Sequence, residues 1–317
     1  MEASLRWALF TAVAPVAWGT TYYVTQHFLP ADYPLYGSVV RALPAGLLLL
    51  AVRRELPRGS WWWKSLVLGV LNFGTFFTLV YIAAQLLPSS IAATIMATSP
   101  LVMMLIAWAL LSERPRVLPL TGAGVGMAGV CVMLLAGTGT INPWGVLASL
   151  SAMAMSSTGY VLAKRWGTGV NVLSSTSWQL IAGALLIAPI AVVVEGAPPA
   201  VGTPALLGFG YVTVVSTALA FVAWFSGLRR LSAGTVGLIG LLNPVTGVLL
   251  GTLAAGEILS ARQVTGLGLA LLGVFLGQPA LARLVGRLRT GSARRLEPLV
   301  EPPPAPVPAG TDATTRP

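Results

Sequence analysis

Ten apolar runs, each about the length of a membrane-crossing helix, constrain this chain more than any other feature of its sequence. They cover residues 5–27, 34–52, 63–85, 89–110, 118–136, 142–163, 172–194, 204–228, 233–254 and 263–281. A helix that crosses a bilayer needs roughly 20 predominantly apolar residues. The connections between runs are no longer than about ten residues, too short for a soluble domain. Of the 317 residues, 56% are hydrophobic and 9% charged, against roughly 25% charged in a soluble chain. No single soluble core buries that much apolar surface, so lipid must solvate part of it. The expected fold is all-α and integral to the membrane, with ten transmembrane helices.

A net charge of +10 in a soluble protein would point to nucleic acid. Here its distribution points to a bilayer and to no nucleic-acid partner. Arg53, Arg54, Arg58 and Lys64 lie between the second and third runs, and Arg114 and Arg116 follow the fourth. Lys164 and Arg165 follow the sixth, and Arg229 and Arg230 follow the eighth. The alternate connections near 28–33, 86–88, 137–141 and 195–203 hold no Lys or Arg. With Arg6 and six arginines of the C-terminal segment, 17 of 19 basic residues fall on one side. Arg262 falls on the other, and Arg41 falls inside a span. The positive-inside rule then puts both termini in the cytoplasm. Arg6 ahead of an apolar run also suits a signal peptide, but the repeat described next argues against cleavage. The proline-rich stretch 290–317 cannot build a core and reads as a disordered cytoplasmic tail. The arginines at 283, 287 and 289 are expected at the anionic inner leaflet. The single cysteine, Cys131, sits in an apolar run and reads as packing.

The chain spells one pattern twice. Pro100, Glu113 and Gly122 recur 144 residues later as Pro244, Glu257 and Gly266, and at the same offset Phe77 matches Phe221 and Leu87 matches Leu231. Upstream the offset is 137: Trp7 matches Trp144, Thr21 matches Thr158 and Tyr23 matches Tyr160. The triplet Leu43, Ala45, Gly46 matches Leu180, Ala182, Gly183 at that offset too. The chain therefore reads as two five-helix units, 1–136 and 137–289, followed by the tail. Five is odd, so the second unit enters the membrane from the opposite side. Inverted repeats of this kind are characteristic of secondary transporters, in which one part rocks against the other around a midplane site.

Ten spans, the five-plus-five repeat, "RALPAGLLLL" in the second span and the duplicated proline–glutamate–glycine pattern resemble the drug/metabolite transporter (DMT) superfamily, in its EamA-type branch. The resemblance covers residues 5–281. It implies ten helices around a central cavity, with the fifth and tenth peripheral, and export of small metabolites or amino acids. An arginine in the second span is typical of that branch. Related small multidrug exporters rely on a glutamate in their first helix. This first span has none, which disfavours drug/proton antiport.

Several residues are candidates for the transport path. Arg41 lies roughly 10 Å into its span at 1.5 Å per residue. A charge at such depth costs at least ~2.5 kcal/mol on insertion scales, so it marks either a substrate contact or a packing bond. Trp18 and Tyr22 of the first span, Asn72, Phe76 and Phe77 of the third, and Ser157 and Tyr160 of the sixth add an amphipathic, aromatic lining. Trp178 of the seventh span stands at the place equivalent to Arg41, with Gln179 beside it. Thr217, Phe221 and Trp224 of the eighth and Asn243 of the ninth complete the set. Such a cavity suits a neutral or zwitterionic organic solute. Pro100 and Pro244, placed mid-span, would kink their helices, free the Met96 and Gly240 carbonyls and act as hinges. The glycine rows Gly122, Gly126, Gly129 and Gly266, Gly273, Gly277 let helices approach closely, within one chain or in a dimer.

The functional expectation is a secondary transporter of small organic metabolites such as amino acids, exporting them by alternating access or facilitated diffusion. Its expected partners are that small-molecule substrate and the lipid bilayer, in a monomer or homodimer. No metal, cofactor or catalytic residue is expected. The alternatives are a channel or receptor-like protein, or an intramembrane enzyme. A zinc protease needs paired histidines, and His27 stands alone. Seventeen arginines against two lysines suggest a GC-rich bacterium and its cytoplasmic membrane.

Overall fold

Backbone N–H and C=O groups in lipid must bond within their own segment, so apolar runs of this length become helices. The computed structural model describes residues 2–30, 33–87, 95–134, 142–255, 260–278 and 281, and among them it is helical with no strand. Glu257 and the 283–317 segment lie outside the described residues, as do the side chains of Tyr22, Thr25 and His27. Residues 1–282 cluster as one compact unit.

Thirteen helices and one π-turn are described. The first half holds α1 (Glu2–Phe28), α2 (Pro34–Arg53), α3 (Trp61–Asn72), α4 (Gly74–Leu86), α5 (Ser99–Leu111) and α6 (Val117–Leu134). The second holds α7 (Pro143–Trp166), α8 (Val172–Glu195), α9 (Thr203–Thr213), the π-turn Val214–Leu219 and α10 (Ala220–Arg230). It continues with α11 (Ala233–Ile239), α12 (Leu242–Ala255) and α13 (Ala261–Leu276). Five helical stretches among the described residues are long and apolar enough to cross a membrane: 34–53, 61–80, 143–166, 172–195 and 203–230. Side-chain caps start several helices, as at Asn171, whose Oδ1 accepts from the Leu173 amide at 2.9 Å. Ser260 and Gln263 form a reciprocal capping box at the start of α13. Outward faces stay apolar, with Val193 83% exposed and Leu207 71%, as lipid-facing surfaces require.

The helices pair across the two halves in a reciprocal way. α2 packs on α8, α6 on α13, and α5 on α11. α1 packs on α10 and α12, and α7, its counterpart, packs on α4 and α5. Glycines set the closest approaches. A Cβ on Gly129 would lie 2.5 Å from the Ala270 nitrogen, and one on Gly46 would lie 3.1 Å from the Ile181 nitrogen. The glycine rows of α6 and α13 thus bind those helices to each other within the fold.

Four helical segments depart from the regular α-helix partway. Phe73 (φ −134°, ψ −62°) bends the 61–80 stretch between α3 and α4, and the π-turn joins α9 to α10 within the continuous 203–230 stretch. Residues 97–98 form a turn ahead of α5, and 240–241 form one between α11 and α12. This corrects the expectation of kinked continuous helices at the prolines. Pro100 is in the first turn of α5, where a proline costs no intrahelical bond. Pro244 is the third residue of α12. The Gly240 carbonyl is not left free, because the Asn243 amide donates to it at 3.0 Å. The helices beside these two turns touch: a Cβ on Gly237 of α11 would lie 3.0 Å from the Pro100 Cα of α5.

Candidate functional site

The interrupted helices bring most of the sequence-selected residues into one cluster. Trp18 of α1 stacks on Phe221 and Trp224 of α10, with ring centroids 4.9 and 5.2 Å apart. Phe221 meets Phe73 at 4.6 Å, Phe73 meets Phe77 at 6.1 Å, and Phe77 meets Phe76 at 5.5 Å. At the other end of this row, Tyr160 of α7 meets Trp224 at 5.4 Å. Rings at such separations in tilted or edge-on pairs are each worth about 0.5–1.5 kcal/mol beyond their burial.

Arg41 closes the row at the α2 side. Its guanidinium lies 4.7 Å from the Phe77 ring centroid, and its Nε–H donates to Thr217 Oγ1 at 3.1 Å. A cation over an aromatic face gains about 0.5–2 kcal/mol as water is excluded. Thr217 is fully buried inside the π-turn. A π-turn widens the hydrogen-bond register and leaves carbonyls for other donors. The Ser216 carbonyl accepts from Trp18 Nε1 at 3.0 Å, and Ser216 Oγ donates to the Ala17 carbonyl at 3.1 Å. The turn thus locks α1 to the same point that presents Thr217 to Arg41.

Asn72 and Gln179 join beside this cluster. Asn72 Nδ2 donates to Gln179 Oε1 at 2.9 Å, and Gln179 Nε2 donates to the Ser175 carbonyl at 2.9 Å. Asn72 Oδ1, Ser157 Oγ, Trp224 Nε1 and Asn243 Oδ1 are buried with no hydrogen-bond partner. Asn243 sits behind the 240–241 break, its carbonyl 2.7 Å from where a Gly19 Cβ would be.

Trp178 does not belong to this cluster, contrary to its expected place in the cavity. Its Nε1 donates to the Glu55 carbonyl at 2.7 Å, and its ring stacks on Trp61 at 5.5 Å. The physical reason is that α8 starts at Val172, just after Lys164 and Arg165, which puts its first turns at the end holding the basic loops. Two cavities lie at that end. One of about 480 Å³ is lined by Trp7, Asn171, Arg229 and Arg230 among others. The other, of about 430 Å³, is lined by Arg53, Glu55, Arg58, Trp61 and Trp178 among others.

Carboxylates tie helix starts at both ends. Glu113 pairs with Lys164 at 2.5 Å and accepts from the Ala233 amide at 3.0 Å, so it caps α11. Glu55 accepts from Ser174 Oγ at 2.6 Å, in the first turn of α8. The Ser174 hydroxyl, aided by Arg53, holds the Glu55 carboxyl below its usual range. At the opposite end Glu195 accepts from the Leu35 and Tyr36 amides at 2.6 and 2.8 Å, in the first turn of α2.

Sequence reasoning missed Phe73 and Ser216, which join the cluster through ring contact and backbone bonds. A signal was present: Asn72-Phe73 and Ser216-Thr217 stand 144 residues apart, so a break in one repeat has its counterpart in the other.

A family model described as the EamA-like transporter family matches residues 5–135 and again 143–277. The chain belongs to this family. It is thereby an EamA-type member of the DMT superfamily, a membrane protein of a transporter family. Protein PecM of Dickeya dadantii is 38% identical over 259 residues, which cover 81% of this chain and 87% of PecM. The uncharacterized inner membrane transporter YedA of Escherichia coli is 30% identical over 269 residues, 82% of this chain and 87% of YedA. One solved crystal structure shares the fold with a TM-score of 0.75 at 23% identity, over 92% of this chain and 99% of that one.

Proposed function

We propose that this EamA-family chain is a secondary carrier that exports small organic metabolites, amino acids among them, across a bacterial cytoplasmic membrane. It does so as ten spans in two inverted five-helix repeats, 1–136 and 137–289, with both termini cytoplasmic. The observation that carries this reading is the set of four departures from regular α-helix: a bend, a π-turn and two turns. They fall at Phe73 and Thr217, and near 97 and 241, in pairs 144 residues apart, around one aromatic row that ends on Arg41. Discontinuous helices in corresponding places of two repeats mark midplane binding sites in secondary transporters. The reciprocal pairing of helices across the halves and the double family match support the same symmetry.

The chemistry follows from the residues. Arg41 offers a planar guanidinium fork to a carboxylate. The row from Phe77 to Trp224 takes an apolar or aromatic body. The paired breaks supply the points at which each half bends, with Pro100 and Pro244 starting the helices beyond them.

Counterflow in proteoliposomes loaded with amino acids and aromatic carboxylates tests the reading. Saturable uptake with trans-stimulation is the expected result. Large flux that neither saturates nor responds to trans solute would identify a channel and end the carrier reading. Cysteine labelling at residues 114–116 and 198–202 tests orientation, with reagent from the outside reaching only the second.

A further inference from the structure

The larger of the two cavities at the end holding the basic loops stands apart from the aromatic row. Trp7 of α1, Asn171 ahead of α8, and Ser226, Arg229 and Arg230 of α10 line its volume of about 480 Å³. No Asp or Glu is among the described residues that line it, so its two guanidinium groups set the charge. Arg229 is fixed at the wall, where its guanidinium donates to the Val170 carbonyl and, at 3.2 Å, to Ser175 Oγ. Arg230 lies over the Trp7 ring, 4.9 Å from its centroid. Stacking occupies the face of a guanidinium and leaves its N–H edge for an anion.

The place of the cavity says what kind of anion. Leu219, Val222, Ser226 and Arg230 recur at helical spacing and share one face of span eight. Leu219 is 55% exposed, whereas Phe221, Trp224, Phe225 and Leu228 on the opposite face are buried. On α1 the Trp7 ring meets exposed Phe10 edge-on at 6.0 Å. The lining thus continues an apolar, lipid-facing stripe and ends it on two arginines. One turn further in, Gly227 packs directly against the fully buried Thr11 side chain and closes α1 on α10. That contact bars passage from the cavity to Trp18 and Trp224 along the α1–α10 seam.

We propose that this cavity holds the phosphate of an anionic phospholipid, with Arg229 and Arg230 on its oxygens and the acyl chains along Leu219, Val222 and Phe10. A basic pocket beside apolar helix faces at the membrane rim has the chemistry that recognises such a headgroup. Arginine suits it because the planar fork takes two phosphate oxygens at once. Ser226 adds a hydroxyl to the same lining. A free phosphate shares the headgroup chemistry but leaves the apolar stripe unused. The site stands on the membrane class of the chain and is independent of what the carrier moves.

Native mass spectrometry of the delipidated full chain, titrated in neutral detergent with phosphatidylglycerol or phosphatidylcholine, tests the site. The wild type is expected to bind its first phosphatidylglycerol about tenfold more tightly, which is about 1.4 kcal/mol. Losing one basic residue from such a contact costs about fivefold, so Arg230→Gln should reduce the preference to about twofold. The Arg230 side chain is on an exposed residue, so this variant leaves the fold intact. Arg165→Gln, at an exposed arginine of the same end outside the cavity lining, should leave the preference unchanged. Equal affinity for the two lipids, or an unchanged preference in Arg230→Gln, would overturn the site. An equal loss in Arg165→Gln would overturn it too, because attraction would then belong to the whole basic surface. Inorganic phosphate in large excess should leave the lipid bound, and displacement would give the cavity to a soluble phosphate and end the lipid assignment.

Discussion

Gly273→Ala is the substitution whose cost is most directly set by the geometry. A Cβ at Gly273 would lie 2.5 Å from the Gly126 Cα and nitrogen and 2.6 Å from the Gly122 carbonyl oxygen, where ordinary contact begins at 3.4 Å. All three atoms are backbone of α6, so no side chain can turn away, and α13 would have to retreat by close to an ångström. Overpacking of this kind costs about 1–3 kcal/mol. Parting the helices also forfeits dispersion along the whole seam. Gly268→Ala on the same helix meets nothing within 4 Å, and it gains helix propensity worth up to about 1 kcal/mol in water. The two variants should therefore differ by about 2–4 kcal/mol. At roughly 2–4 °C per kcal/mol for chains of 150–250 residues, Gly273→Ala should melt about 4–16 °C below Gly268→Ala. Thermal denaturation of both in nanodiscs reads this difference. Equal melting points would refute the close approach. So would a loss of dimer with monomer stability unchanged, since that result would put the glycine seam between two chains.

Arg41→Lys keeps the charge but loses the planar fork and the Nε–H bond to Thr217. Transport should fall at least about tenfold in kcat/KM, about 1.4 kcal/mol, and kinetics within twofold of wild type would rule out a solute contact. Glu113→Gln and Lys164→Met test the helix-end latch, whose side chains are 28% and 16% exposed. A double-mutant cycle on thermal stability should give a coupling of about 1 kcal/mol, and zero coupling would leave Glu113 held by the Ala233 amide alone. The Glu55 carboxyl is held below its ordinary value of 4.5, first by the Ser174 hydrogen bond. Its contribution is thus present above the unfolded value and lost as pH falls through the folded one. Glu55→Gln should remove that part of the acid sensitivity, seen as a flatter loss of melting temperature below pH 4.5.

Much of the scaffold was legible because lipid leaves few options. Apolar runs of spanning length must be helices, and a repeat that keeps the spacing of Phe77 and Phe221 puts both on matching elements. The glycine rows foretold the α6–α13 seam for a similar reason, since only missing side chains permit that approach. The candidate site was legible as a roster. Trp18, Arg41, Phe77, Tyr160, Thr217, Phe221 and Trp224 do meet. Trp178 was misplaced because it stands in the first turns of α8, held at the end with the basic loops by the Glu55 carbonyl and the Trp61 ring. Pro100 and Pro244 were read as kinks because a proline's effect depends on whether its helix is continuous, and chain neighbours alone do not reveal that.

By itself, then, the sequence determined the membrane class and a duplicated pattern, since both follow from hydropathy and residue spacing along one dimension, and its resemblance to EamA-type transporters pointed to the family. Only the tertiary structure decided where helices stop and restart. It also decided that the Ser216 carbonyl in a π-turn receives the Trp18 indole, and that Arg41 lies between Thr217 and Phe77. Those contacts join residues 176 and 198 positions apart, and packing of whole helices, not local propensity, selects them.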